Sequence, residues 1–224
     1  MSAVPVIAID GPSGSGKGTV SRRVAQALGW HWLDSGALYR LVGLAGERAG
    51  LAPDDRAGHA ALAEAMAVRF EATPEGEERV WLSGRDVTRD IRSEQAGELA
   101  SRVAAWAAVR TGLLNRQRAF RIAPGLVADG RDMGSVVFPD AYLKVYLTAS
   151  AEERARRRHK QLKDKGLDVS LAALSREIAE RDHRDATRTV APLKVTADAV
   201  LLDSTQLAVD DVVARVLSLA HARR

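Results

Sequence analysis

Gly11-Pro12-Ser13-Gly14-Ser15-Gly16-Lys17-Gly18-Thr19 follows a short apolar run, Val4-Pro5-Val6-Ile7-Ala8-Ile9. The run reads as a buried strand. After the glycine-rich stretch, Val20, Val24, Ala25, Ala27 and Leu28 recur at helical spacing among the polar Ser21, Arg22, Arg23 and Gln26. Strand, glycine-rich turn and helix are the context a phosphate-binding loop requires. Glycines let the backbone curl until successive N–H groups point at one anion. The helix N-terminus adds free N–H groups and partial positive charge. Lys17 is then placed to reach the terminal phosphates of a nucleoside triphosphate as a mobile point charge. The order strand–loop–helix predicts an α/β protein with a parallel sheet.

One position departs from the common pattern. The residue after Lys17 is Gly18, and Thr19 follows one place later. The site that often offers a hydroxyl to Mg²⁺ therefore has no side chain. The Gly-Lys-Gly-Thr ending resembles the nucleoside-monophosphate kinases, where Mg²⁺ is held mostly by phosphates and water.

Composition bounds the rest. The chain has 224 residues, 46% hydrophobic and 28% charged, with a net charge of +4 and a pI near 9.7. That suits one α/β domain with an insertion, or two small domains. The arginines are spread through amphipathic segments, which argues for small anionic substrates rather than nucleic acid. There is no cysteine, so no thiol catalysis, disulfide or Cys-based metal site. The N-terminal apolar run is too short for a signal or membrane segment, and a cytoplasmic protein is expected.

Downstream, Gly29 is a helix stop, and Trp30-His31-Trp32-Leu33 reads as a second strand. Asp34 or Ser35 is suited to cap a helix over 36–48. Arg40 on that helix is either a solvated arginine or, beside the loop crevice of an α/β sheet, a phosphate ligand. A helix is expected over 51–67 after Pro53-Asp54-Asp55. Val68–Ala72 alternates with period two, a turn at 73–77 follows, and 79–82 and 83–87 read as a strand, a tight turn and an edge. This predicts a small antiparallel sheet inserted in the βα frame. From Ser93 an apolar stripe (Ala96, Leu99, Ala100, Val103, Ala104, Ala107, then Val109, Leu113 and Leu114) runs at helical spacing toward Phe120. Ser101 and Arg110 within it read as ordinary surface residues.

Leu126-Val127-Ala128-Asp129 is a buried strand ending in charge. Asp129 is either a strand-end turn residue or the acid that orders water around Mg²⁺. Residues 142–147 form the next strand. A basic helix over 150–165 carries Arg154, Arg157 and Arg158, mostly a solvated face, but with the helix that starts near Ser170 it could form a lid over ATP. Arg181, Asp185 and Arg188 share one face of that second helix, as an ion-pair ladder or a binding face. His183 reads as a surface residue. Residues 199–203 are expected as a last buried strand, and 207–219 as a last amphipathic helix.

The stretches Gly11–Thr19, Asp34–Arg40, Ala128–Val137 and Glu180–Pro192, with the terminal Leu202-Asp203-Ser204-Thr205, resemble bacterial cytidylate kinase in the same order over nearly the whole chain. The resemblance implies a nucleoside-monophosphate-kinase fold: five parallel strands with helices on both faces, an antiparallel insertion and a short helical lid. It implies one domain, with a core at 1–39, 106–151 and 169–224, a monophosphate-binding arm at about 40–105 and a lid at about 152–168. The implied reaction is γ-phosphoryl transfer from ATP to CMP or dCMP, with Mg²⁺. It implies that Gly11 to Thr19 hold the ATP phosphates and that Lys17, Arg131, Arg188 and Asp129 serve the transfer. Ser35, Arg110, Asp132 and Arg188 resemble cytosine contacts, Ser101, Arg181 and Asp185 sugar contacts, and Arg40 and Arg131 phosphate clamps. Asp129 and Thr19 are the side-chain candidates near the metal, and Arg154, Arg157 and Arg158 those near ATP. A monomer without nucleic-acid or membrane partners is implied.

Two rivals remain at this level. One is a P-loop kinase of another small acceptor. The other is an ATP-dependent nucleic-acid-binding module, supported only by the basic pI and opposed by the scarcity of aromatics for base stacking.

Overall fold

The computed structural model describes residues 4–72, 78–164, 166 and 168–223. The expected turn at 73–77, and Lys165 and Leu167 at the helix break, lie outside them. Two units are recognisable: the residues up to Asp34 together with those from Arg118 onward, and Ser35–Gln117.

In the first unit, β1 (Val6–Asp10) leads through the glycine-rich loop into α1 (Lys17–Leu28) and β2 (His31–Asp34). The five-residue β1 is buried throughout, as a central parallel strand must be. Gly29 ends α1 in the left-handed conformation (φ 65°), its N–H reaching back to Ala25 and Gln26 carbonyls, as read from sequence.

The second unit starts with α2 (Ser35–Arg48) and α3 (Arg56–Ala65). The latter is shorter than the 51–67 helix expected, because the Asp55 side chain accepts from Gly58 N–H and caps it there. Next come β3 (Val68–Ala72), β4 (Glu78–Leu82) and β5 (Arg85–Asp86), joined as an antiparallel sheet in the order β3-β4-β5. Ser83 (φ 50°) and Gly84 (φ 78°) make the tight turn between the last two, the double positive φ that a two-residue hairpin requires. The stripe from Ser93 is not one helix. It forms α4 (Glu94–Val103), capped by the Ser93 side chain, and α5 (Ala107–Arg118), since the Ala104 N–H bonds back to Ala100 and Arg102 carbonyls and closes the first of them. α4 packs on α2, where a Cβ at Gly43 would sit 2.6 Å from Leu99 Cβ.

The first unit resumes with β6 (Leu126–Gly130), a π-helical turn (Met133–Val137), β7 (Leu143–Thr148), α6 (Ala151–Asp164), α7 (Leu171–Thr187), β8 (Val200–Asp203) and α8 (Val209–His221). All five strands are parallel, in the order β2-β6-β1-β7-β8. α1 and α8 cover one face, where Ile7, Ile9, Val24, Val127, Val145, Leu147, Val212 and Val216 form the core. Burying each of these side chains stabilises the fold by about 1.5–3 kcal/mol. β8 is not the buried strand expected. It is an edge strand with only Leu202 buried and Leu201 61% exposed, because position in the sheet, not apolarity, sets burial.

Candidate active site

The glycine-rich loop lies between β1 and α1, at the C-terminal ends of β1, β6 and β7, where open parallel sheets bind ligands. Close approach explains its glycines. A Cβ at Gly11 would lie 2.0 Å from the Leu147 carbonyl oxygen. Gly14 (φ 77°) and Gly16 (φ 86°) adopt left-handed backbone, and a Cβ at Gly14 would meet Arg154 Cβ at 3.1 Å. No side chain caps α1, so its first-turn N–H groups face the loop. Ser15 Oγ is buried without a hydrogen-bond partner among the described residues. Lys17 curls onto its own loop, Nζ donating to the Pro12 carbonyl (3.0 Å). A Cβ at Gly18 would meet nothing within 4 Å, and Thr19 is exposed.

Charge gathers around Lys17. Burial, then Arg131, pulls its ammonium down to about 7, with Arg181 adding and Asp129 and Asp185 opposing. Burial likewise pushes Asp129 up to about 7, helped by Asp34 and opposed by Lys17, Trp32 and Arg131. The Trp32 indole N–H donates to Asp129 Oδ2 (2.9 Å), which leaves the other oxygen for a further ligand. Arg131 Nε donates to Asp185 Oδ2 (2.6 Å), and Arg188 Nη1 stands 3.8 Å from Asp185 Oδ1. Burial works against the Asp185 carboxylate, yet Arg131, with Arg181 and Arg188, holds it below the usual range. Asp185 is therefore not only part of an intrahelical ladder. Its shortest bond crosses from α7 to the segment after β6. His183 is exposed, as expected.

Two residues of α6 correct the expectation of a solvated basic face. Arg154 is only 5% exposed. Its Nη1 and Nη2 bond both Asp182 oxygens (3.0 and 2.6 Å), Nη1 also reaches the Ser13 carbonyl (3.0 Å), and Nε the Ala149 carbonyl (3.0 Å). Arg157 donates to the Ser204 carbonyl (2.6 Å), to Ser204 Oγ (3.2 Å) and to Glu153 Oε1 (3.0 Å). Arg158 donates to Gln161 (3.2 Å). Sequence reading found these arginines but not Asp182 or Ser204, their partners, because nothing in the sequence links positions 28 and 47 residues apart.

The second unit carries the other candidates. Ser35 opens α2 and is buried. Arg40 Nη1 donates to the Ile91 carbonyl (2.7 Å). Arg110 and Ser101 are not the ordinary surface residues their helical positions suggest. The Arg110 guanidinium is buried (8% exposed), lies 5.4 Å from the Tyr39 ring centroid and donates to the Ala104 carbonyl (3.1 Å). Ser101 Oγ is buried without a hydrogen-bond partner among the described residues. A buried hydroxyl without a hydrogen-bond partner is costly unless a ligand satisfies it.

A nucleotide's phosphates fit the first unit: a glycine cradle, a helix N-terminus, an unpartnered buried hydroxyl and a crowd of cations. A metal cage does not. Among the described residues no three His, Asp or Glu side chains are grouped to hold a metal ion.

A parallel sheet with this loop and these cations defines a P-loop phosphotransferase. Among solved structures, the chain resembles a gluconokinase from Sinorhizobium meliloti 1021 (TM-score 0.50, 14% identity, covering 99% of this chain and 94% of that one). It also resembles an uncharacterized protein from Eubacterium ventriosum (TM-score 0.53, 12% identity, covering 98% and 99%). At these identities the likeness is one of fold. The sequence pattern of the cytidylate kinase family matches residues 7–222. Cytidylate kinases of Nitrosococcus oceani (56% identity; 96% of this chain, 95% of that one), Stutzerimonas stutzeri (59%; 96% and 94%) and Nitrosomonas europaea (53%; 99% and 97%) align with it almost end to end. The chain belongs to the cytidylate kinase family. It is a kinase, and ATP is its co-substrate.

Proposed function

We propose that this chain transfers the γ-phosphoryl group of ATP to CMP and dCMP, giving ADP with CDP or dCDP, in pyrimidine nucleotide metabolism. One observation carries the reading beyond family membership: in the glycine-rich loop Ser15 Oγ is buried without a hydrogen-bond partner among the described residues and half-buried Lys17 folds back onto its own loop's Pro12 carbonyl, two groups that bound phosphates would engage. The acceptor oxygen of a nucleoside monophosphate is already anionic, so no general base is needed. Catalysis is then positioning and charge stabilisation. Lys17 and the loop N–H groups from Gly11 to Thr19 hold the ATP phosphates, and Arg131 and Arg188 cover charge on the transferring group. Mg²⁺, when bound, neutralises phosphate charge. We assign it mainly to phosphates and water, with the second oxygen of Asp129, and more remotely Thr19, as its protein neighbours.

For the acceptor, Ser35, Arg110, Asp132 and Arg188 are assigned to cytosine. Ser101, Arg181 and Asp185 are assigned to the sugar, and Arg40 and Arg131 to the monophosphate. Cytosine offers an N4 amine that donates and N3 and O2 that accept, which matches a carboxylate and a hydroxyl beside arginines. Uracil presents an acceptor where Asp132 also accepts, and such a mismatch discriminates by roughly 10⁴-fold or more. We take 40–105 as the monophosphate arm, 152–168 as a lid that closes over ATP with Arg157 and Arg158, and 1–39, 106–151 and 169–224 as the core. Arg154 is so fully bonded that we assign it to anchoring that lid. We propose a cytoplasmic monomer acting on nucleotides rather than on nucleic acid or membranes. None of the chain's described helices is long and apolar enough to cross a membrane.

ADP release from Mg·ATP is measured with CMP, dCMP, UMP, AMP and no acceptor. Turnover with CMP and dCMP alone is expected, and Asp132→Ala is expected to narrow the CMP/UMP gap. Equal turnover of all acceptors, or an unchanged ratio in the variant, would overturn the assignment.

A further inference from the structure

We propose that Asp10 is the positioning residue of the base-reading turn: its two carboxylate oxygens grip consecutive backbone N–H groups and thereby fix how Asp132 is presented. The proposal rests on the reading above, in which Asp132 contacts CMP.

Asp10 closes β1, and the alternation of the strand turns it away from Ile7 and Ile9, onto the face opposite α1 and α8. There Oδ1 accepts from Met133 N–H and Oδ2 from Gly134 N–H, both at 2.8 Å. The Asp132 carbonyl is held from its other side, accepting from Val136 N–H (2.9 Å) and Val137 N–H (3.2 Å). Asp132 sits at φ −148°, ψ 22°, between the helical and extended wells, a conformation that persists only where its surroundings impose it. With the peptide after Asp132 clamped at both its carbonyl and its N–H end, its Cα–Cβ direction has little freedom. A Cβ at Gly134 would be in ordinary contact with Asp10 Oδ2 (3.5 Å) and tight against Lys144 Cγ and Cδ (3.1 Å).

The arrangement is expensive, which argues that it does more than close a turn. Asp10 is 8% exposed and Asp132 only 2%. Burial pushes the Asp10 carboxyl up to about 6, against its two backbone hydrogen bonds, with Asp132 adding to the rise and Lys17 opposing it. An asparagine would occupy the same volume at lower desolvation cost, but it offers one acceptor and sets an NH₂ against the second N–H. Only a carboxylate serves both amides at once. The residue after Asp10 is Gly11, so a single position carries the phosphate loop on one side and the base-reading turn on the other.

The test is steady-state kinetics of the full-length wild type, Asp10→Asn and Asp132→Ala with CMP, UMP and ATP, beside their thermal melts. Asp10→Asn is expected to raise the KM for CMP about tenfold or more and to lower the CMP:UMP ratio of kcat/KM, with the KM for ATP changing by about threefold or less. A merely structural role would move both substrates' KM values together and leave the ratio alone, and that result in a folded Asp10→Asn protein overturns the proposal. Should Asp10→Asn not fold, Asp10→Ser leaves one short acceptor for the two N–H groups. The same loss of CMP:UMP ratio is expected there, and an unchanged ratio overturns the proposal. A wild type that ignores CMP defeats the functional reading instead. An Asp132→Ala ratio equal to wild type defeats the base-reading assignment.

Discussion

Removing Asp182 should loosen the phosphate loop through Arg154, a residue that touches no substrate in the proposed chemistry. The Arg154 side chain is 6% exposed and its partner 30%, and the pair is bidentate at 3.0 and 2.6 Å. Deleting one member of a fully buried pair costs about 3–5 kcal/mol, because the survivor is left charged and unpaired. Here two terms reduce that figure. Water reaches the Asp182 side, and Arg154 keeps its bonds to the Ser13 and Ala149 carbonyls. Asp182→Ala should therefore cost about 2–3 kcal/mol, which for a protein of this size lowers the melting temperature by about 4–12 °C. Arg154→Met alone strands Asp182 nearer to water and should cost less. The double variant Arg154→Met with Asp182→Leu replaces both charges by apolar groups and should be less destabilised than the sum of the singles, with a coupling of about 1–3 kcal/mol. The measurement is urea and thermal denaturation of the wild type, both singles and the double. A shift of under about 1 °C for Asp182→Ala, or strictly additive singles, would refute the argument that this pair anchors α6 and α7 beside the loop.

Three further outcomes are expected. Lys17→Ala should lose about 3–4 kcal/mol of transition-state stabilisation, read as kcat/KM for ATP with CMP saturating, and near-normal turnover would contradict its role. ATP binding should take up protons near neutral pH. Burial and Arg131 hold Lys17 down to about 7 in the free protein, and bound phosphates favour its charged form. ATP affinity, measured without a divalent cation, should therefore fall as pH rises above about 7, and calorimetry in two buffers of different ionisation enthalpy should show a proton uptake that Lys17→Met reduces. Gly11→Ala should fail to fold or lose several kcal/mol, on the order of a severe overpacking, since its Cβ would stand 2.0 Å from the Leu147 carbonyl oxygen, a backbone atom with nowhere to retreat. A melt within about 2 °C of wild type would contradict the loop geometry.

Local chemistry alone determined the parallel core, the phosphate loop, the helix stop at Gly29 and the Ser83-Gly84 turn. Each is a short-range statement: a glycine where φ is positive, or a run of β-branched residues that is wet nowhere. The order of motifs along the chain was likewise legible, and with it the family. Tertiary structure decided what sequence spacing cannot encode. Arg110 and Arg154 look like solvated helical arginines, and only packing shows one stacked on Tyr39 and the other closed around Asp182. Residues 200–203 are as apolar as a central strand, yet they lie at the sheet edge, because strand order comes from crossover topology rather than from composition. Nothing near Asp10 in the sequence points to its grip on Met133 and Gly134, which spans more than a hundred residues. Side chains declare what they can bond; only the fold decides which of them meet.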